Sequence, residues 1–143
     1  MNLELKFKKL HPHAKPPKYA YKGDAGMDFF IPEDMLIKVG ERKSIPLGIA
    51  IEIPDGFVGL LSDKSGLSHK HGLKSYGGVI DSGYRGEIHV GMMNLSDKDY
   101  EFKAGEKIIQ MLVIPVASTE IVEVDELCES DRGQGAFGSS GVV

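Results

Sequence analysis

The sequence predicts an all-β fold, a sandwich, barrel or jelly roll of short antiparallel strands, and three observations point to it. Apolar residues recur with period two, not 3.6. Eighteen Gly and seven Pro in 143 residues favour many turns over long helices. Turn signals fall between the apolar runs, at Pro54-Asp55-Gly56, Ser96-Asp97-Lys98-Asp99 and Lys103-Ala104-Gly105-Glu106.

The elements follow in chain order. Leu3, Leu5 and Phe7 alternate with polar residues and predict a first strand. Ile49, Ile51 and Ile53 predict another, and Phe57-Val58-Gly59-Leu60-Leu61 reads as a buried strand. One short helix is expected near Ser65 to His71, beginning just after Lys64. Ile88 and Val90 alternate again, and Ile108 to Ile114 reads as a second buried run. There is no internal repeat and no interdomain linker. The expected organisation is one domain over residues 1–131 and a glycine-rich tail over 132–143 that lacks apolar anchors except Phe137 and is mobile without ligand.

Composition narrows the function. At 15.6 kDa, 41% apolar and 27% charged, the chain has material for one core without disulfides or a structural metal. No apolar run approaches the length of a membrane helix. The N-terminus lacks a secretory apolar stretch, and the single Cys128 fits a reducing cytoplasm. A net charge of −4 is a poor match to a nonspecific nucleic-acid coat. The charge is uneven. Residues 1–22 carry six Lys against Glu4, and residues 119–131 carry six acids and no base. That pattern gives two solvated faces, or two ends that attract each other within a chain or between subunits.

Four stretches could carry chemistry. In Gly77-Gly78-Val79-Ile80-Asp81-Ser82-Gly83-Tyr84-Arg85-Gly86, a hairpin would hold Asp81 and Tyr84 near each other, though an Asp that merely starts a turn reads the same. Asp63-Lys64-Ser65-Gly66-Leu67 offers a base, a hydroxyl and a glycine at a helix start, a pattern suited to phosphate but common in loops. Asp24-Ala25-Gly26-Met27-Asp28 holds two carboxylates, either surface acids in a turn or ligands for Mg²⁺. The pairs His11-Pro12-His13 and His69-Lys70-His71 lack a third partner at zinc spacing. In the tail, Arg132-Gly133-Gln134-Gly135-Ala136-Phe137-Gly138-Ser139-Ser140-Gly141 has what a lid would use: Arg for a phosphate, Phe for a flat ring, and glycines for close approach.

Together these stretches resemble the five ordered motifs of the trimeric dUTPase family (deoxyuridine triphosphate nucleotidohydrolases). Ala25-Gly26-Met27-Asp28 is similar to the first and Lys64-Ser65-Gly66-Leu67 to the second. Gly78 to Gly86 is similar to the third, Gly105-Glu106-Lys107-Ile108-Ile109-Gln110 to the fourth, and Arg132 to Gly141 to the fifth. The resemblance implies a jelly-roll subunit and a homotrimer with active sites at subunit interfaces. It implies Mg²⁺-dependent hydrolysis of dUTP to dUMP and pyrophosphate, which limits uracil in DNA and supplies dUMP for thymidylate synthesis. By position, Asp81 would be the general base, and Tyr84 would pack on the deoxyribose and exclude a 2′-hydroxyl. Gly78, Val79 and Ile80 would read uracil with their backbone. Lys64, Ser65, Gly66 and Gln110 would hold phosphates, and Asp28 would position Mg²⁺ through water. Arg132 would grip the γ-phosphate and Phe137 would cover uracil, with Gly138 and Ser139 near the phosphates. No nucleic-acid or membrane partner is expected.

Three positions depart from the family pattern. Lys64 stands where Arg is usual, which loses the bidentate fork. Asp63 adds negative charge beside an expected anion site. Ala136 replaces a usual glycine. Two other functions share these features: a dCTP deaminase of the same fold, and a dUTPase-like regulatory protein that binds nucleotide or a partner.

Overall fold

The structure, a computed structural model, describes residues 3–143. Ten strands and one helix are found among them: β1 (Lys6–Lys9), β2 (Met27–Phe30), β3 (Met35–Ile37), β4 (Arg42–Glu52), β5 (Phe57–Ser62), α1 (Ser65–His71), β6 (Leu73–Tyr76), β7 (Val79–Asp81), β8 (Glu87–Asn94), β9 (Tyr100–Phe102) and β10 (Lys107–Pro115). Two four-stranded sheets, ordered β1-β4-β8-β6 and β2-β10-β5-β7, are antiparallel throughout, and β3 and β9 form a short ribbon. This is a jelly roll.

The period-two pattern explains the packing. Ile45, Leu47, Ile49 and Ile51 of β4 and Ile88, Val90 and Met92 of β8 are buried and belong to one core with Phe29, Ile109 and Met111 of the other sheet. The helix lies where expected. Gly72 ends it at φ 63°, the left-handed region that glycine enters without a Cβ penalty, and donates its N–H to Ser68 O.

One boundary differs from the sequence expectation. The first strand begins at Lys6 rather than Leu3, and all its residues are exposed. It is a sheet edge, paired only to β4, and its lysines discourage further pairing there. At the other end, the last strand runs over Lys107–Pro115, where the buried run from Ile108 to Ile114 was expected. Beyond Val116, whose N–H reaches Gly56 O at 2.9 Å, there is no strand or helix, and only Gly135 is less than exposed. Ile121, Val122, Val124 and Leu127 of this stretch are all exposed.

Candidate active site

One cleft, of about 500 Å³, lies over the end of the second sheet and is lined by Asp24, Gly26, Asp28, Lys64, Lys107 and Gln110, among others. Asp28 sits on β2 directly across from Gln110 on β10. It is only 2% exposed. Its two oxygens are divided between two lysines: Oδ1 accepts from Lys64 Nζ, and Oδ2 lies 2.7 Å from Lys107 Nζ. Burial opposes charge on this carboxyl, but the hydrogen bonds and charges of Lys107 and Lys64 outweigh it and hold Asp28 below the usual carboxylate range. Lys107 is pushed up in turn, chiefly by its hydrogen bond to Asp28.

Gln110 is oriented from two sides. Its Nε2 donates to Asp63 O at 2.8 Å, and a Cβ on Gly26 would fall 2.0 Å from its Oε1. Gly26 therefore leaves the space that the Gln110 amide fills. The Asp63 side chain faces Lys74 and Ser75: it accepts from Lys74 Nζ, from Ser75 Oγ and, at 2.7 Å, from Ser75 N. Burial raises this carboxyl, and these partners more than reverse it, so it too lies low. Its negative charge is thus offset inside the body. Ser65 is exposed, and nothing lies within 4 Å of a Cβ at Gly66. The chain's own packing does not require glycine there, at a helical position where it costs about 0.5–1 kcal/mol relative to Ala.

A second cleft, of about 230 Å³, is lined by Val79, Ile80, Asp81, Tyr84, Glu87 and His89. Gly78, at φ 108°, accepts Leu61 N–H at 2.8 Å, which seats β7 on β5 and commits that carbonyl to the sheet. The turn then closes with Tyr84 N–H on Asp81 O at 3.0 Å. Tyr84 Oη donates to Glu87 O at 2.9 Å, and a Cβ on Gly86 would lie 2.4 Å from that hydroxyl. Arg85 braces the same turn through Ser82 O at 2.6 Å. Asp81 and Tyr84 are both exposed.

The two clefts lie apart. Asp81 is opposite Val58 on β5, while Gln110 is opposite Ser62 at the other end of that strand, on its other side. Four residues of rise and two interstrand steps separate their Cα atoms by roughly 16 Å. The tail joins neither cleft. Its hydrogen bonds are local, among them Arg132 Nε to Gly135 O at 2.9 Å and Ser139 N to Ala136 O at 3.2 Å. The Phe137 ring is fully exposed, and at φ 49° this is the one described non-glycine residue in the left-handed region.

Sequence reasoning missed Lys107 as part of the site. The signal is a bulge. Lys107 and Gln110 are three residues apart, which in a regular strand puts them on opposite faces. A register shift between Lys107 and Ile109 places Lys107 opposite Phe30 and Gln110 opposite Asp28, on one face. Two consecutive fully buried residues, Ile108 and Ile109, mark it.

Mg²⁺ takes oxygen ligands and keeps several of its own waters. Among the described residues no three His, Cys, Asp or Glu cluster to form a cage. Asp28 keeps lone pairs beyond the two its lysines take, and the Asp24 carboxylate lines the same cleft. These residues fit an ion held mainly by its own waters and by a ligand's phosphates.

Fold and clefts define a jelly-roll protein with a cleft lined by paired lysines and carboxylates and a separate hairpin that carries Asp81 and Tyr84. The family model described as dUTPase matches residues 13–141. The chain is 45% identical to the deoxyuridine 5'-triphosphate nucleotidohydrolase of Nautilia profundicola, over 97% of this chain and 99% of that one. It is 45% identical to the protein of the same name from Clostridium kluyveri, over 99% and 100%. Among solved structures, a Staphylococcus bacteriophage 80alpha dUTPase with dUpNHpp superposes with a TM-score of 0.93 at 31% identity, covering 97% of this chain and 99% of that one. A dUTPase from phage phi11 of S. aureus, described with a structural Mg(II) ion, gives 0.80 at 29% identity over 86% and 97%. The chain belongs to the dUTPase family.

Proposed function

We propose that the chain hydrolyses dUTP to dUMP and pyrophosphate through attack of water on the α-phosphorus, which limits uracil in DNA and supplies dUMP for thymidylate synthesis. The observation that carries this reading is the family match over residues 13–141 joined to a hairpin with Asp81 beside Tyr84 at an open cleft. Asp81 is the general base: it orients the water and takes its proton as the oxygen closes on phosphorus. Tyr84, pinned through Glu87 O, presents its ring to the deoxyribose and leaves no room for a 2′-hydroxyl. Backbone groups of Gly78, Val79 and Ile80 read the uracil edge, where cytosine would leave a buried polar group mismatched at about 1–3 kcal/mol.

Lys64, Ser65, Gly66 and Gln110 hold the phosphates. Mg²⁺, when bound, offsets the triphosphate's charge and the charge moving to the leaving pyrophosphate, with Asp28 and Asp24 placed to receive its waters. Arg132 reaches the γ-phosphate, Phe137 covers uracil, and Gly138 and Ser139 lie along the phosphates. Closure of this segment excludes bulk water. The separation of roughly 16 Å between the two clefts of one chain supports a homotrimer whose sites are shared between copies. No described helix is long and apolar enough to cross a membrane. We place the protein in the cytoplasm on the support of its one free thiol, Cys128.

Pyrophosphate release from dUTP, dCTP, dTTP and UTP tests the reading. Release from dUTP alone is expected. Ammonia from dCTP would make the protein a deaminase, and binding of dUTP without release would make it a regulator.

A further inference from the structure

We propose that Lys107 is a positioning residue for the nucleotide: it keeps the buried Asp28 carboxylate compensated, so that Lys64 can leave Asp28 and take up the substrate's phosphates. The inference rests on the dUTP reading above and deepens it.

The geometry sets a problem that Lys107 solves. In the free chain Lys64, the one cation of the phosphate-binding stretch, is bound to Asp28. Withdrawing it from a carboxylate 2% exposed would strand a buried charge, which is strongly unfavourable when no partner remains. Lys107 is that remaining partner, 2.7 Å from the other oxygen.

The two lysines differ in how they are held. Lys107 belongs to β10, which is paired to β2 on one side and β5 on the other, and the bulge at Ile108 aims it at Asp28. Lys64 belongs to no strand. It is the extended residue ahead of α1, its side chain makes no capping hydrogen bond, and Ser65 and the open Gly66 follow it. Lys107 is therefore the fixed counter-charge and Lys64 the transferable one. Both line the cleft with Gln110.

The test compares Lys107→Met and Lys107→Arg in the native chain and in Asp28→Asn, with Lys70→Met on the exposed helix surface as control. Two quantities are read: KM against kcat for dUTP, and the Kd of the α,β-imido analogue of dUTP with Mg²⁺ by calorimetry. Lys107→Met should raise KM and Kd about tenfold or more, because Lys64 then stays on Asp28, while kcat moves by less than about threefold. Lys107→Arg should restore most of the loss. In Asp28→Asn, where no buried charge is left to compensate, adding Lys107→Met should change Kd less than about twofold. An unchanged Kd in Lys107→Met overturns the proposal. So does an equal loss in both backgrounds, since Lys107 would then be touching the nucleotide itself. If Lys107→Met alone does not fold, the Asp28→Asn pair decides. Wild-type protein that fails to hydrolyse dUTP refutes the functional reading; wild-type protein that hydrolyses it, with Lys107→Met unaffected, refutes this one.

Discussion

Gly26→Ala separates the placement of Gln110 from the stability of the fold. The backbone of Gly26 lies outside the left-handed region, so alanine is conformationally acceptable there. The new Cβ would fall 2.0 Å from Gln110 Oε1, 2.8 Å from its Cδ and 3.2 Å from its Cβ. Something must move, and the flexible end of Gln110 is what can. Its hydrogen bond to Asp63 O is then lost, at about 0.5–1.5 kcal/mol. Against this, Gly→Ala gains about 0.4–1 kcal/mol by restricting the unfolded chain. The net effect on stability is about 1 kcal/mol or less. On the proposed role of Gln110 the effect on catalysis should be larger, because a displaced Gln110 would no longer meet a charged phosphate. A hydrogen bond to a charged group is worth about 1.5–3 kcal/mol, so kcat/KM should fall about ten- to 150-fold. Steady-state kinetics beside a thermal melt check both halves. Combining Gly26→Ala with Gln110→Ala should cost nothing beyond Gln110→Ala alone. A Gly26→Ala enzyme with wild-type kcat/KM would refute the assignment of Gln110, and a collapsed melt would show that Gly26 serves the fold instead.

Three further outcomes are expected. Asp81→Asn should lower kcat by ~10²–10⁴-fold with dUTP binding largely kept; turnover within about tenfold of wild type would contradict the base assignment. Deleting the chain after Ser130 should spare fold and oligomer, since no strand is removed, and abolish efficient turnover; light scattering and kinetics on the truncated protein check this. Asp28 and Asp63 both lie below the ordinary aspartate value, so the stability they confer is complete at neutral pH. It is lost as pH falls through about 3.9, the unfolded value, toward their lower folded values. Melts between pH 7 and pH 3 should show that loss, and Asp63→Asn should weaken it.

Several strands of the two sheets were legible because their residues face one core and the fold asks little of them beyond alternation, whereas β2 and β6 were not read as strands. Ile49, Ile51, Ile88 and Val90 are of that kind. The N-terminal alternation at Leu3, Leu5 and Phe7 signals an extended chain but not which residues a second layer covers: Leu5 packs against the core, while Leu3 and Phe7 stay exposed. Asp63 looked like an intrusion on an anion site because sequence does not reveal that Lys74 and Ser75, across a helix, turn back to meet it. Lys107 was hidden by one inserted residue that reverses which side of β10 it faces. The motifs named segments, and tertiary register decided which way their side chains point.

The distance between the Asp81 hairpin and the Asp28 cleft has a consequence at the level of mixed populations. If each site draws these two carboxylates from different copies, damage to one and damage to the other are not equivalent within an assembly. Two preparations, one Asp81→Asn and one Asp28→Ala, each inactive, should regain activity when unfolded together and refolded as hybrids. Random mixing would leave about a quarter of the sites with both carboxylates intact. A site contained in one chain would give none. In a cell that makes both a normal and a damaged chain, a copy that has lost one of the two carboxylates spoils only the site to which it supplies that residue, so activity falls in proportion to the damaged fraction; a copy that has lost both spoils two sites, and the loss then outruns that fraction.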